Sequence, residues 1–320
     1  AAPRQDEAMY RNSVGSSLVS PESKCQNCHM WHAAPTEGPD CADERRVTQA
    51  GYQILLVGGI FMRPSDRSLR CRLGACCGKC FDGTMHRVTV DLSNYVFMMY
   101  TRMDSYEDIM SSYLIRSSKP CLVETGSARS APVVVEQLAQ LGIGPADLAT
   151  IVVTHIHLDH AGGVGDLAET FPNADVVVQE RGARHLADPS RLVASAHRVF
   201  GEAMDRLFGD LQPTPATRIV SIAERGEVDL GDGRHLAAFH NPGHASHHIG
   251  LVDSATGDLY TGDAAGVYVP ETADVRPATP PPDFDLDLTL SSLAAMREVG
   301  PTRLLFSHFG PVTEIDEVLD

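Results

Sequence analysis

Six residues constrain this chain more than any other feature. His155, His157, Asp159 and His160 fall within the run His155-Ile156-His157-Leu158-Asp159-His160. They follow directly on Ile151-Val152-Val153, a short wholly apolar segment that reads as a buried central strand. Four ionisable groups at the end of a buried strand cannot all be ordinary core residues, because each would cost several kcal/mol if buried unpaired. A metal ion removes that cost by neutralising a carboxylate and accepting imidazole lone pairs. The segment therefore predicts a metal-binding loop at the end of a strand.

Further candidate ligands lie far along the chain, each at a chain reversal. His244 sits in Asn241-Pro242-Gly243-His244, where Pro and Gly shape a turn. Asp263 follows a predicted strand in Thr261-Gly262-Asp263, and His308 follows the last predicted strand in Ser307-His308-Phe309-Gly310. Each alone reads as a solvated turn residue. As a set, they can converge on one edge of a sheet sandwich.

The order of predicted elements suits that picture. Strands are expected at 87–92, 95–100, 113–116 and 121–123, a helix at 131–141 with Pro132 in its first turn, and the strand 151–153. Then come a helix at 164–170, a strand at 175–179, a short helix at 182–186 and a longer helical insertion at 192–208. Five strands follow at 219–222, 227–230, 235–239, 248–252 and 258–261, then a helix at 288–298 and a strand at 303–306. The insertion and the loop 267–284 are the expected substrate-facing covers.

His155-x-His157-x-Asp159-His160, Pro242-Gly243-His244, Gly262-Asp263 and Ser307-His308 together resemble the ordered metal motifs of the metallo-β-lactamase superfamily, and within it the glyoxalase II-like hydrolases. The resemblance covers about residues 86–320. It implies an α/β fold, a four-layer αββα sandwich with its metals at one edge. It implies that His155, His157 and His244 hold one metal, that Asp159, His160 and His308 hold a second, and that Asp263 bridges them. Two close divalent cations lower the pKa of a shared water toward neutrality. The expected cofactors are therefore two divalent ions, zinc first, with iron or manganese as alternatives. The expected activity is hydrolysis of a small ester, thioester or lactone, with Asp159 orienting the water and passing on its proton.

Some positions depart from the resemblance or separate it from its neighbours. The early strand of such proteins usually ends in Asp-x-Gly, whereas here it ends in Glu124-Thr125-Gly126. Glu124 is expected to support the metal loop. Asp263, and the lack of any Cys after Cys121, argue against antibiotic hydrolysis. His157 stands where flavodiiron proteins carry Glu. The alternative reading is a mononuclear iron oxidoreductase of the same fold, similar to persulfide dioxygenases. His240, His247 and His248 border the His244 turn, and Tyr268 lies near Asp263 in sequence; each is a candidate to support a ligand or to meet substrate, beside a structural or exposed role that is the stronger reading for the three histidines and at least an equal one for Tyr268.

Composition narrows the partners. The formal net charge of -16 repels phosphate backbones and argues against nucleic acid. The longest apolar run, Ile54 to Met62, is far short of the roughly 20 residues a spanning helix needs. A small-molecule substrate, a cytoplasmic location and no membrane partner are expected, with homo-oligomerisation left open. Seven of the eight cysteines lie between Cys25 and Cys80. Residues 1–85 are therefore read as a Cys-rich extension, poorly ordered or a small metal module, ahead of a hydrolase domain at 86–320. Cys25-Gln26-Asn27-Cys28-His29 matches a c-type haem attachment signature, and Cys25/Cys28 with Cys77/Cys80 offers a four-Cys zinc set.

Overall fold

Side chains of a strand alternate between its two faces, so a strand buried on both sides must feed two different cores. The sandwich is built on this rule. A computed structural model describes residues 89–320 apart from 105 and 271, with no side-chain description at 106–108. The cysteine motifs before Cys121, and the boundary expected between residues 85 and 86, lie outside the described residues.

Seven strands form the first sheet in sequential order. They are β1 (Thr89–Asp91), β2 (Val96–Met103), β3 (Tyr106–Ile115), β4 (Cys121–Val123), β5 (Thr150–Val152), β6 (Asp175–Gln179) and β7 (Ile219–Ile222). The second sheet contains β8 (Arg225–Gly231), β9 (Arg234–His240), β10 (Ile249–Asp253), β11 (Asp258–Gly262), β14 (Arg303–Phe306) and β15 (Gly310–Val312). A small hairpin, β12 (Val267–Val269) and β13 (Asp274–Arg276), stands apart. The helices are α1 (Ala131–Gln140), α2 (Leu158–Ala161), α3 (Val164–Thr170), α4 (Glu180–Ala187), α5 (Ser190–Phe200), α6 (Ala203–Leu207), α7 (Leu286–Glu298) and α8 (Ile315–Leu319).

Three buried clusters fill the three gaps between four layers. Met99, Leu114, Leu122, Ile151, Val176 and Val178 turn outward from the first sheet onto Val134 and Leu138 of α1 and Leu167 of α3. Their strand neighbours Met98, Tyr113, Val123, Val152 and Val177 turn inward onto Val228, Leu236, Leu251 and Leu305 of the second sheet. Leu259, Leu304 and Phe306 turn outward from the second sheet onto Met296 of α7 and Leu319 of α8. The architecture is the αββα sandwich that the sequence resemblance implies.

Three expectations need correction. The insertion at 192–208 is two helices, α5 and α6, because Gly201 leaves α5 at φ +54°, ψ −133°. Both helices pack into the outer core through Ala196, Met204 and Leu207. β3 begins at Tyr106, well before the expected 113, because buried Ser111 and Ser112 interrupt its apolar pattern. Ser111 is nevertheless paired, its Oγ donating to the Phe306 carbonyl at 3.1 Å. The loop 267–284 opens with the β12–β13 hairpin instead of running free.

The strands place the candidate ligands at one rim. β4, β5 and β6 run parallel, as do β11 and β14. Glu124, His155, Asp263 and His308 thus leave the C-terminal ends of β4, β5, β11 and β14, and His244 lies in the β9–β10 connection.

Candidate metal centre

β5 is buried throughout, so its chain emerges at Thr154 already committed to the interior. His157 caps the one-turn helix α2, which carries Asp159 and His160. The amides of His160 and Ala161 both donate to the His157 carbonyl, at 3.0 and 2.9 Å. This turn lies inside the predicted metal loop and was not legible as a helix, since four residues show no period. The His244 turn is held by α7: Ser292 Oγ donates to the Pro242 carbonyl at 2.6 Å, and the Asp285 amide donates to the Gly243 carbonyl at 2.8 Å.

All seven predicted ligands come together. Three overlapping groups each have their donor atoms within 4.8 Å of one another: His155, His157 and His244; His155, His160 and Asp263; and Asp159, His160 and His308. Asp263 spans the groups, with Oδ2 3.5 Å from His244 Nε2 and Oδ1 3.3 Å from His160 Nε2. Asp159 Oδ2 lies 3.4 Å from His308 Nε2.

Hydrogen bonding tests whether this set fits a cation. Thr154 Oγ1 donates to Glu124 Oε1 at 2.5 Å and lies 3.0 Å from His155 Nδ1, which therefore donates to it. His244 Nδ1 donates to the Ala278 carbonyl at 3.0 Å. Both rings consequently present a bare Nε2 lone pair, and each faces His157 Nδ1 at 3.0 Å. His157 has one proton at most to offer from that nitrogen, so lone pairs are left in opposition. In the other group, His308 Nδ1 donates to the Ile109 carbonyl at 3.2 Å, which turns its Nε2 toward Asp159 and Asp263. Both ring nitrogens of His160 and Oδ1 of Asp263 are buried without a hydrogen-bond partner. Opposed lone pairs and orphaned donors of this kind fit metal ions, which satisfy them at once.

The electrostatics follow. Burial, then neighbouring histidines, hold His155 and His157 well below the ordinary imidazole range. Burial also pulls on His160, but Asp263, Asp159 and Glu124 outweigh it and raise this histidine. Burial pushes Asp263 upward, and the facing His160, His308 and His244 overcome that and hold it well below the carboxylate range.

The surrounding candidates separate. Glu124 is fully buried; its Oε1 also accepts from Ser307 Oγ at 3.2 Å and lies 3.6 Å from His160 Nδ1. It ties together the loops after β5 and β14. His248 is fully buried behind His155, with ring centroids 4.9 Å apart. His240 points away, its Nε2 3.0 Å from the Ser246 carbonyl and its Nδ1 3.4 Å from Glu224. Tyr268 packs its ring on Phe306 at 6.2 Å, while its amide donates to the His308 carbonyl. His247, read from the sequence as structural or exposed, also borders the site: its ring meets His157 edge-on at 5.7 Å, and Ile156 N–H donates to its Nδ1 at 3.4 Å. Ser307 and Asn241 were passed over in the sequence, because a hydrogen bond across loops leaves no local signal.

Comparison with known proteins agrees with this fold. The family model for the metallo-beta-lactamase superfamily matches residues 106–308. The chain belongs to that superfamily. A metallo-beta-lactamase fold-containing protein, ST1585, of Sulfurisphaera tokodaii is 33% identical over 168 residues, which cover 51% of this chain and 61% of that protein. Its crystal structure superposes with a TM-score of 0.59 at 26% identity, covering 69% of this chain and 84% of that one. An N-acyl homoserine lactonase of Azorhizobium caulinodans is 32% identical over 115 residues, 36% of this chain and 39% of that enzyme. A hydroxyacylglutathione hydrolase of a Synechococcus strain is 29% identical over 153 residues, 47% of each chain. The matched stretches thus span less than two thirds of these three relatives.

Proposed function

We propose that this chain is a two-metal hydrolase of small esters, thioesters or lactones. The observation that carries the reading is the shared carboxylate of Asp263, set between one group of three histidines and a second group of Asp159, His160 and His308. In this reading His155, His157 and His244 hold one ion, Asp159, His160 and His308 the other, and Asp263 both. Two bound divalent ions, zinc by preference for this nitrogen-rich set, would supply a nucleophile from water at neutral pH and fixed positive charge for a developing oxyanion.

The chain's own residues then divide the remaining work. Asp159 is the more open carboxylate, with 22% of its side chain exposed against 7% for Asp263. It is placed to take a proton and pass it to a leaving group, while Asp263 stays buried as a fixed support. Relatives named an N-acyl homoserine lactonase and a hydroxyacylglutathione hydrolase support the substrate class. The alternative, an oxidoreductase with a single iron, needs only part of this ligand set. The complete second group of Asp159, His160 and His308 favours two ions.

The test is a panel of simple thioesters, aryl esters and lactones with the purified chain. Hydrolysis should be abolished by a strong chelator and restored by zinc. Asp159→Asn should lower kcat by about 10²–10⁴-fold, the usual loss of a general acid–base group. Metal-loaded protein that hydrolyses nothing in the panel, yet consumes dioxygen with a persulfide, would overturn the reading.

A further inference from the structure

His248 belongs to none of the three ligand groups, yet it is fully buried against His155 and the Asp263 backbone. Its Nε2 lies 3.1 Å from the backbone nitrogen of Asp263. An amide N–H can only donate, so Nε2 carries a lone pair and the ring proton sits on Nδ1. Nδ1 in turn donates to Asn241 Oδ1 at 2.7 Å. The Asn241 backbone N–H donates in return to the His248 carbonyl at 3.1 Å, which closes the loop that carries His244. The approach to Asp263 needs Gly262: a Cβ there would lie 2.4 Å from His248 Nε2. The same ring stacks on His155, with planes 24° apart. Its burial rules out contact with substrate.

We propose that His248 is a positioning residue for the metal pair. Its Nε2 anchors the Asp263 amide, which aims the shared carboxylate at both groups, and its ring backs the plane of His155. One neutral imidazole thereby couples the His244 loop, the Asp263 turn and the His155 strand end. The inference rests on the two-metal reading, and it adds that this reading's bridge is held from behind by a hydrogen bond of fixed direction.

Zinc affinity, measured by competition with a chromophoric chelator, tests it without recourse to turnover. His248→Gln places a carbonyl oxygen near the position of Nε2 and should bind zinc nearly as tightly as the unaltered chain. His248→Asn is too short to reach Asp263, and His248→Leu has no acceptor. Both should bind at least one zinc ion about 10- to 100-fold more weakly, the usual effect of losing an outer support to a metal site. Leu236→Ala, in the core between the sheets, should lower Tm without changing zinc affinity. Equal zinc affinity in the unaltered chain and in all three His248 variants overturns the inference alone, as would equal weakness of the Gln and Asn variants. A chain that binds no zinc before any substitution overturns both the inference and the two-metal reading.

Discussion

At the scale of single residues, direction is what matters: which atom carries the proton decides which atom is left to face a cation. His155 gives its Nδ1 proton to Thr154, which gives its own to Glu124, so the bare Nε2 is left inward. Glu124→Gln weakens the acceptor at the end of this relay and puts an amide donor beside Thr154 and Ser307. Zinc affinity should fall about 10- to 100-fold, as read by chelator competition. An unchanged affinity would show that the relay orients nothing. His247 supplies a pH test. Burial, followed by the charge of His244, pushes its pKa down to about 4. The unfolded chain therefore takes up this proton first, near pH 6.5. The contribution to stability is full above that value and is lost as pH falls toward 4. His155, His157 and His248 are depressed in the same direction, and the raised His160 and His308 oppose them. In the metal-free chain, Tm should fall over this window, and less steeply in His247→Phe. Identical slopes would contradict the assignment. The candidate ligands were legible in the sequence, because four crowd into six residues and the others sit in turns that follow strands. Their supports, Ser307 and Asn241, were not, because their partners are set by the folded loops.

At the scale of elements, the strands whose apolar residues alternate or run unbroken were read closely. β4, β6, β7, β14 and α3 fall where the sequence placed them. What escaped had too little pattern to show: the single turn α2, the three-residue strands β12, β13 and β15, and the serine-containing start of β3. The insertion read as one helix because its apolar spacing continues from Leu192 to Phe208. The break depends on one residue, Gly201, whose φ of +54° and ψ of −133° lie in a region that side chains resist. Gly201→Ala meets no steric obstacle, so the cost is backbone strain alone. It should destabilise the fold by about 1–3 kcal/mol, seen as a lower denaturation midpoint. Metal content should not change, since α5 and α6 pack in the outer core. A loss of metal would mean that the insertion reaches the site after all.

At the scale of the molecule, the site belongs to neither sheet alone. Glu124, His155 and His160 follow strands of the first sheet, whereas His244, Asp263 and His308 follow strands of the second. Bound ions would fasten the two sheets at their rim, adding to the inter-sheet core beneath. The layer order was legible from the resemblance, and the structure shows how it is enforced, by three cores fed from alternating side chains. Binding to the folded state alone would stabilise it by about 2.7 kcal/mol at a free metal concentration of 100 Kd. The central claim is the number of ions, and metal analysis of the purified chain by plasma mass spectrometry counts them directly, beside His308→Ala. The account predicts two ions per chain, mainly zinc, and one in the variant. One iron per chain in both, or no metal in either, would contradict it.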